Sequence, residues 1–140
     1  MDNATKNSIL IVDDNSSTID VLLDILSNDY SIRVAKNGAK ALEIAHQSMP
    51  DLILLDIVMP EMSGYEVLEE LKASPQTQHI PVVFITGLKD AEDEERGLDL
   101  GAADFINKPF NRKMVKARVL NQIKIINCLN QIELLKEQMK

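Results

Sequence analysis

Short apolar runs alternate with longer amphipathic segments along the first 110 residues of the chain. The runs are rich in the β-branched and large aliphatic side chains that buried parallel strands need. We therefore expect five strands, each followed by a helix. The predicted strands are Ile9–Val12, Ser31–Ala35, Leu52–Leu55, Val82–Ile85 and Ala103–Ile106.

The amphipathic segments predict the five helices. Within them apolar residues recur at spacings of three and four, and capping residues, glycine or proline mark many of the ends. Helices are predicted from Asn15–Ser16 to about Asn28, from Ala41 to Pro50, from Tyr65 to Pro75, from Asp90 to Leu100, and from Asn111 to the carboxyl terminus.

Five consecutive βα units of this size predict an α/β fold with a doubly wound parallel sheet. Right-handed crossovers place helices on both faces of such a sheet, which gives three layers. The expected strand order is 2-1-3-4-5, followed by an extended carboxyl-terminal helix. In that order the ligand crevice lies beyond the carboxyl ends of strands one and three.

Polar residues follow the predicted strands at this same edge of the sheet. They are Asp13, Asp14, Asp56, Thr86 and Lys108. Three carboxylates brought close together repel one another, and a hard divalent cation such as Mg²⁺ relieves that repulsion. A lysine ammonium and a threonine hydroxyl suit phosphoryl oxygens. The set predicts a site where a carboxylate attacks phosphorus to form an aspartyl phosphate.

Composition limits the class of protein and its partners. A chain of 140 residues fits one domain with a short appendage. The net charge of −7 argues against nucleic-acid binding by this segment. Cys128 is alone, and neither a signal-peptide pattern nor a long apolar stretch is present. We expect a cytoplasmic protein with no disulfide and no membrane partner.

Three segments resemble the receiver domain of two-component response regulators: Ile9–Asn15, Asp51–Pro60 and Gly101–Phe110. The likeness covers about residues 8–120, and we expect that range to be the receiver domain. Residues 1–7 are then an amino-terminal extension. Residues 121–140 are a helical extension that could form a coiled-coil linker to a missing output domain. The resemblance implies a flavodoxin-like (βα)5 fold.

The resemblance also implies a role for each polar residue of the site. Asp56 is the expected phosphoacceptor. Asp14, Asp56 and the main-chain carbonyl of Val58 are the expected ligands of Mg²⁺, for which Mn²⁺ could substitute, and Asp13 is expected to hold a metal-bound water. The side chains of Thr86 and Lys108 are expected to contact the phosphoryl group.

By the same resemblance, Phe105 turns inward when Thr86 moves toward the phosphoryl group, and Gly87 leaves space for that movement. The residues two beyond the acceptor and two beyond the threonine tune the phosphoryl lifetime in this family. These are Val58 and Leu88, whose apolar side chains cannot orient an attacking water. Slow self-hydrolysis is therefore predicted.

Expected partners are a sensor histidine kinase or phosphotransfer protein and a second copy of the chain. Six acids lie between Asp90 and Asp99, whereas the next helix begins with basic residues. These charges are either two solvated helix faces or a homodimer surface formed by helix four, strand five and helix five. The tail offers a second dimer surface, an a/d seam. Its residues are Ile125, Cys128, Ile132, Leu135 and Met139.

Other interpretations remain open at this point. Asp13 and Asp14 could be helix-capping acids, and Phe105 an ordinary core residue. Haloacid-dehalogenase-type phosphatases also form an aspartyl phosphate, but their Asp-x-Asp pattern is absent after strand one and no cap domain is present. An adaptor that is never phosphorylated is a third possibility. The run Val115–Val119 also resembles receivers that precede cyclic-dinucleotide-making or -degrading domains. We expect a switch and not an enzyme.

Overall fold

The alternating pattern forms five strands and five helices within the described residues, which are 6–87 and 91–139, the side chains of 91–94 excepted. In this computed structural model the elements are β1 Ser8–Val12, α1 Ser16–Leu26, β2 Ser31–Ala35, α2 Gly38–Ser48, β3 Leu52–Asp56, α3 Gly64–Ala73, β4 Val82–Thr86, α4 Ala91–Asp99, β5 Asp104–Asn107 and α5 Arg112–Gln138. Leu88 and the predicted helix start at Asp90 lie outside the described residues.

The strands form one parallel sheet in the order β2-β1-β3-β4-β5, which confirms the predicted fold and order. The pairing register aligns the carboxyl ends of the central strands. Val12 lies opposite Leu55, so the next residues along, Asp13 and Asp56, are neighbours. The strand register therefore places these two acids side by side at the predicted crevice.

The sheet is covered on both faces, because successive side chains of each central strand enter different cores. Leu10 and Val12 pack with α2 and α3, whereas Ile9 and Ile11 pack with α1 and α5. This two-sided burial explains why β1, β3 and β4 are continuously apolar rather than alternating.

Local signals set the helix starts. The Asn15 side chain accepts hydrogen bonds from the backbone N–H groups of Ser17 and Thr18, which caps α1. A capping box begins α3, in which the Ser63 hydroxyl accepts from the Glu66 N–H and the Glu66 carboxylate accepts from the Ser63 N–H. This capping box lies at the end of the loop that joins Asp56 to α3.

Helix α5 is the longest described element, about 40 Å at 1.5 Å per residue. Its first half packs on the sheet through Val115, Val119 and Ile123. One turn later the side-chain amides of Asn127 and Asn7 hydrogen-bond to each other. The described residues after Asn127 are all exposed. None of the helices described is both long and apolar enough to cross a bilayer.

Candidate functional site

Three carboxylates meet at the carboxyl edge of the sheet. Asp13 follows β1, Asp14 is the next residue, and Asp56 is the last residue of β3. One carboxylate oxygen from each lies within 4.8 Å of the others. Asp13 is fully buried and Asp56 nearly so, whereas Asp14 is exposed. The cluster therefore has a buried base and one side open to solvent.

Lys108 is the cation facing these acids. Its Nζ lies 3.1 Å from Asp13 Oδ2, a hydrogen-bonded ion pair, and 3.6 Å from Asp56 Oδ1. The Lys108 backbone N–H donates to the carbonyl of Thr86 at 2.8 Å, which fixes the loop after β5 against the end of β4. The Lys108–Pro109 peptide bond is cis. Both neighbours of Lys108 in the site are thus buried carboxylates.

The pKa of Asp56 is raised from its ordinary value of 3.8 to about 6. Burial is the largest cause, and the neighbouring charge of Asp13 adds to it. The Lys108 ammonium opposes the shift, Asp14 raises the pKa further, and the backbone N–H of Ile57 lowers it slightly. One cation does not balance three acids, so the site has an excess of negative charge.

This donor set fits Mg²⁺. The three side chains offer carboxylate oxygens within 4.8 Å of one another, and hard oxygen ligands are those that Mg²⁺ prefers. Mg²⁺ also keeps several waters when bound, and the exposure of Asp14 leaves one side of the cluster accessible to them. A second positive charge here would oppose the burial and the repulsion that together raise the pKa of Asp56.

Thr86 and Phe105 lie on the adjacent strands. Thr86 is the buried last residue of β4, one residue beyond Ile85, which pairs with Asp56 in the sheet. Phe105 lies on β5 and points inward, with its ring centroid 5.6 Å from that of Phe84. In this structure Phe105 therefore occupies the inward position that the sequence resemblance associates with the active state.

Phe105 also contacts α4 through Gly97. A Cβ placed on Gly97 would lie 2.6 Å from Phe105 Cζ and 3.0 Å from Phe84 Cε2. Since real Cβ atoms do not approach carbon that closely, the two rings occupy the space above this glycine. The position of α4 and the rotamer of Phe105 are consequently linked by direct packing.

Two further predicted residues lie in exposed loops. Val58, two residues after Asp56, is 64% exposed. Gly87, next to Thr86, is also exposed, and a Cβ added there would meet no atom of the described residues within 4 Å. This conformation therefore has no steric requirement for glycine at position 87. Leu88 lies outside the described residues.

Sequence reasoning missed a positioning residue, Gly64. Its N–H donates to the Ile57 carbonyl at 2.7 Å, and a Cβ at Gly64 would lie 2.3 Å from the Asp56 carbonyl oxygen. The start of α3 thus presses against the backbone of Asp56 itself. The Met-Ser-Gly turn signal before α3 indicated a loop but not this close approach.

The geometry therefore gives three carboxylates that can hold a hard cation, a lysine ammonium beside two of them, and a nearby threonine. Carboxylates can act as nucleophiles toward phosphorus when charge on the phosphoryl oxygens is neutralised. The arrangement therefore suits the making and breaking of an acyl phosphate.

The comparison with protein families gives one match over most of the chain. The family model described as "Response regulator receiver domain" matches residues 9–120. These residues include all three acids, Thr86 and Lys108.

Individual relatives agree with that match. A protein of Vibrio cholerae serotype O1 named "Probable cyclic di-GMP phosphodiesterase" is 48% identical over 119 residues, which are 85% of this chain and 27% of that protein. The response regulator PleD of Caulobacter vibrioides is 42% identical over 121 residues, 84% of this chain and 27% of its own length. The chain thus spans about a quarter of each of these curated relatives.

A solved structure agrees as well. The signal receiver domain of a signal transduction histidine kinase from Syntrophus aciditrophicus superimposes with a TM-score of 0.77 at 36% identity. The match covers 84% of this chain and 90% of that one.

Proposed function

The chain belongs to the receiver-domain family of two-component response regulators, and on that basis we propose that it is a phosphorylation-dependent switch that accepts a phosphoryl group on Asp56. The donor is the phosphohistidine of a sensor kinase or phosphotransfer protein, and the switch acts in the cytoplasm. The observation that carries this proposal is the convergence of Asp13, Asp14 and Asp56 on Lys108 at one edge of the sheet.

In the proposed transfer, a carboxylate oxygen of Asp56 forms a bond to phosphorus while the bond from phosphorus to the histidine nitrogen breaks. Asp56 is suited to this role because it is the last residue of β3, held rigidly in the sheet and packed beneath the start of α3. The shift of its pKa to about 6 leaves it ionised at neutral pH, so it is available as a nucleophile.

We propose that Asp14, Asp56 and the main-chain carbonyl of Val58 hold Mg²⁺, with Asp13 supporting the metal from the buried side. When bound, the metal neutralises charge on the phosphoryl oxygens and on the acids. Asp13 is already held in place by Lys108 and by the backbone N–H of Asn15, which donates to its Oδ1 at 2.9 Å. Mn²⁺ has similar ligand preferences and is expected to substitute.

We propose that the side chains of Lys108 and Thr86 contact the phosphoryl group. The Lys108 ammonium lies between Asp13 and Asp56, so it can keep its bond to Asp13 while it binds a phosphoryl oxygen on Asp56. Movement of the Thr86 hydroxyl toward the same group would alter the end of β4. Because Phe105 packs on Phe84 and Gly97, that change would reach α4 and β5.

We further propose that phosphorylation strengthens a homodimer through α4, β5 and α5. Two of the basic residues on α5 already have intrachain partners: Arg112 binds Asp24 at 3.0 Å and Arg118 binds Asp104 at 2.7 Å. The exposed acids Glu95 and Asp99 of α4 would therefore face lysines of the other subunit rather than these arginines. Such pairing should weaken as the salt concentration rises.

The phosphoryl group is expected to be long-lived. The exposed Val58 offers no group that could orient a water toward Asp56, and Leu88 is likewise apolar. Val58→Asn should therefore shorten the lifetime, measured as the loss of the phosphorylated species by phosphate-affinity electrophoresis. A lifetime of seconds for the unchanged chain would contradict this part of the proposal.

Intact mass after incubation with acetyl phosphate tests the central claim. We expect one phosphoryl adduct with Mg²⁺ present, and none with EDTA or in the Asp56→Asn variant. The Asp20→Asn variant, which changes an exposed acid on α1, should behave like the unchanged chain. No adduct on the unchanged chain would favour the adaptor interpretation. Release of phosphate over many turnovers would favour a phosphatase.

A further inference from the structure

The tail of α5 presents an apolar stripe to solvent. Four of its residues, Ile125, Ile132, Leu135 and Met139, are between 43% and 86% exposed, and Cys128 is exposed as well. They are spaced by three and four, which is the a/d spacing of a coiled coil. We call these five residues the tail seam.

The tail seam points away from the chain's own domain. At 3.6 residues per turn, its centre lies about 160° around the helix axis from the side on which Val115, Val119 and Ile123 pack on the sheet. A helix placed on the seam would therefore meet no part of the sheet layer beneath α5. For the same reason the domain cannot fold back to cover the seam while α5 stays straight.

Every described residue of α5 after Asn127 is exposed, and several of these residues carry large apolar side chains. Exposure of apolar surface to water is unfavourable. A partner helix on the tail seam would cover part of this surface.

Charge favours a second copy as that partner. Residues 121–139 contain Lys124, Glu133, Lys136 and Glu137, so this segment is neutral in a chain whose net charge is −7. Two tails can therefore approach without the repulsion that opposes contact between the acidic domains. Two of the three a positions are isoleucine and one of the two d positions is leucine. β-Branched residues at a with leucine at d are typical of parallel dimers, so these positions favour two parallel strands.

We propose that residues 125–139 form a parallel two-stranded coiled coil with the same segment of a second copy. Ile125, Ile132 and Met139 occupy the a positions, and Cys128 and Leu135 the d positions. In this register Cys128 faces Cys128 of the second copy across the dimer axis. The pairing requires no phosphoryl group, so it is independent of the proposed function of Asp56.

Cross-linking with a short bismaleimide, without any phosphoryl donor, tests the register. We expect the unchanged chain to give a covalent dimer through Cys128. The matched control is Cys128→Ser combined with Leu134→Cys, which moves the thiol to another exposed position about 140° away from the centre of the seam. This control should give little covalent dimer.

Sedimentation velocity over a range of protein concentrations tests the pairing itself. Two heptads form a small interface, so we expect a weak dimer with a measurable dissociation constant. Ile132→Asp places a carboxylate in the seam and should raise that constant at least ~10-fold. Leu134→Asp, on the opposite side of the helix, should change it less than about twofold, since surface substitutions have small effects. Circular dichroism and urea unfolding of both variants verify that the domain remains folded.

Three results would overturn the proposal: a monomer at all concentrations, a dimer insensitive to Ile132→Asp, or equal cross-linking of the two cysteine positions. An antiparallel pair would overturn it too, because a d position then packs against an a position. Cys128 would face Ile132 or Met139 of the second copy instead of Cys128, and the cross-link would weaken. If the acetyl phosphate experiment fails while the cross-link forms, the tail pairing stands and the phosphoryl switch does not.

Discussion

Asp56 carries a stability cost that follows from its raised pKa. Between pH 3.8 and about pH 6, the Asp56 carboxyl binds a proton more tightly in the folded chain than in the unfolded chain. The free energy of unfolding of the metal-free protein should therefore fall as pH rises through that window and level off above it. We expect Asp56→Asn, which removes the charge, to stabilise the metal-free protein at pH 7.5 by about 1–3 kcal/mol. Urea titrations in EDTA measure this difference.

The pH dependence provides the control for that substitution. Near pH 4 both chains carry a neutral group at position 56, so the stabilisation should shrink there. Added Mg²⁺ should also reduce it at pH 7.5, because the metal stabilises only the protein that retains Asp56. The exposed Asp20→Asn should show neither effect. Destabilisation by Asp56→Asn at neutral pH would mean that contacts of the carboxylate outweigh its burial.

Gly64 and Gly87 form a matched pair of glycines beside the site. Gly64→Ala would place a Cβ within 2.3 Å of the Asp56 carbonyl oxygen, so the α3 start or the Asp56 backbone must move. We expect a loss of about 1–3 kcal/mol in the free energy of unfolding, with slower phosphorylation. Gly87→Ala meets no atom of the described residues within 4 Å and should change stability by less than about 0.5 kcal/mol. Equal stability of the two variants would refute this account.

The sequence predicted which acids lie together but not the contacts that position and bury them. Asp13 and Asp56 could be paired because both end apolar runs of neighbouring strands, and parallel strands align their carboxyl ends. The contact of Gly64 with the Asp56 backbone, in contrast, depends on the angle at which α3 enters. The pKa of Asp56 likewise depends on burial by distant residues, which no local pattern contains.

Among the elements, α4 and β5 are joined through the packing of Gly97 against Phe105. Gly97→Ala should destabilise the fold by about 1–3 kcal/mol, because the added Cβ clashes with Phe105 Cζ and Phe84 Cε2. Phe105→Ala should remove the closer clash, so the Gly97→Ala penalty should be smaller in that background. A double-mutant cycle in urea measures this coupling. Additive effects would show that α4 and Phe105 are not linked.

The elements themselves were predicted well, and their ends less well. Every predicted strand and helix is present in the described residues, yet β3 and β4 extend to Asp56 and Thr86. These polar residues were placed after the strands, but each pairs with the neighbouring strand, Asp56 with Ile85 and Thr86 with Asn107. Helix α1 ends at Leu26 rather than near Asn28. Hydrogen-bond partners, and not hydrophobicity alone, determine these last residues.

For the whole molecule, the parallel order could be predicted because right-handed crossovers and fully buried strands leave few alternatives. The relation of α5 to the domain could not. Helical periodicity continues unbroken from Asn111, so it gives no sign of where packing on the sheet ends. The structure shows that buried contacts reach Ile123 and that side-chain hydrogen bonds reach Asn127. The predicted domain end at residue 120 stays a prediction.

Shortened chains would show which part of α5 stabilises the domain and which part does not. A chain ending at Leu120 loses Ile123, which is 4% exposed, together with the half-buried Ile126. We expect it to be less stable by about 2–4 kcal/mol, since each buried aliphatic side chain contributes about 1.5–3 kcal/mol. A chain ending at Cys128 keeps both residues and the Asn7–Asn127 contact. Its free energy of unfolding should match that of the whole chain within about 0.5 kcal/mol.

That comparison has to be made in urea at protein concentrations too low for dimers, because association would add its own stabilisation to the whole chain. At high protein concentration the chain ending at Cys128 should have a lower free energy of unfolding than the whole chain, since it lacks most of the tail seam. Stability would thus depend on α5 as far as Asn127, and association on the residues beyond it. If the chain ending at Leu120 were as stable as the whole chain, α5 beyond that point would contribute nothing to the domain.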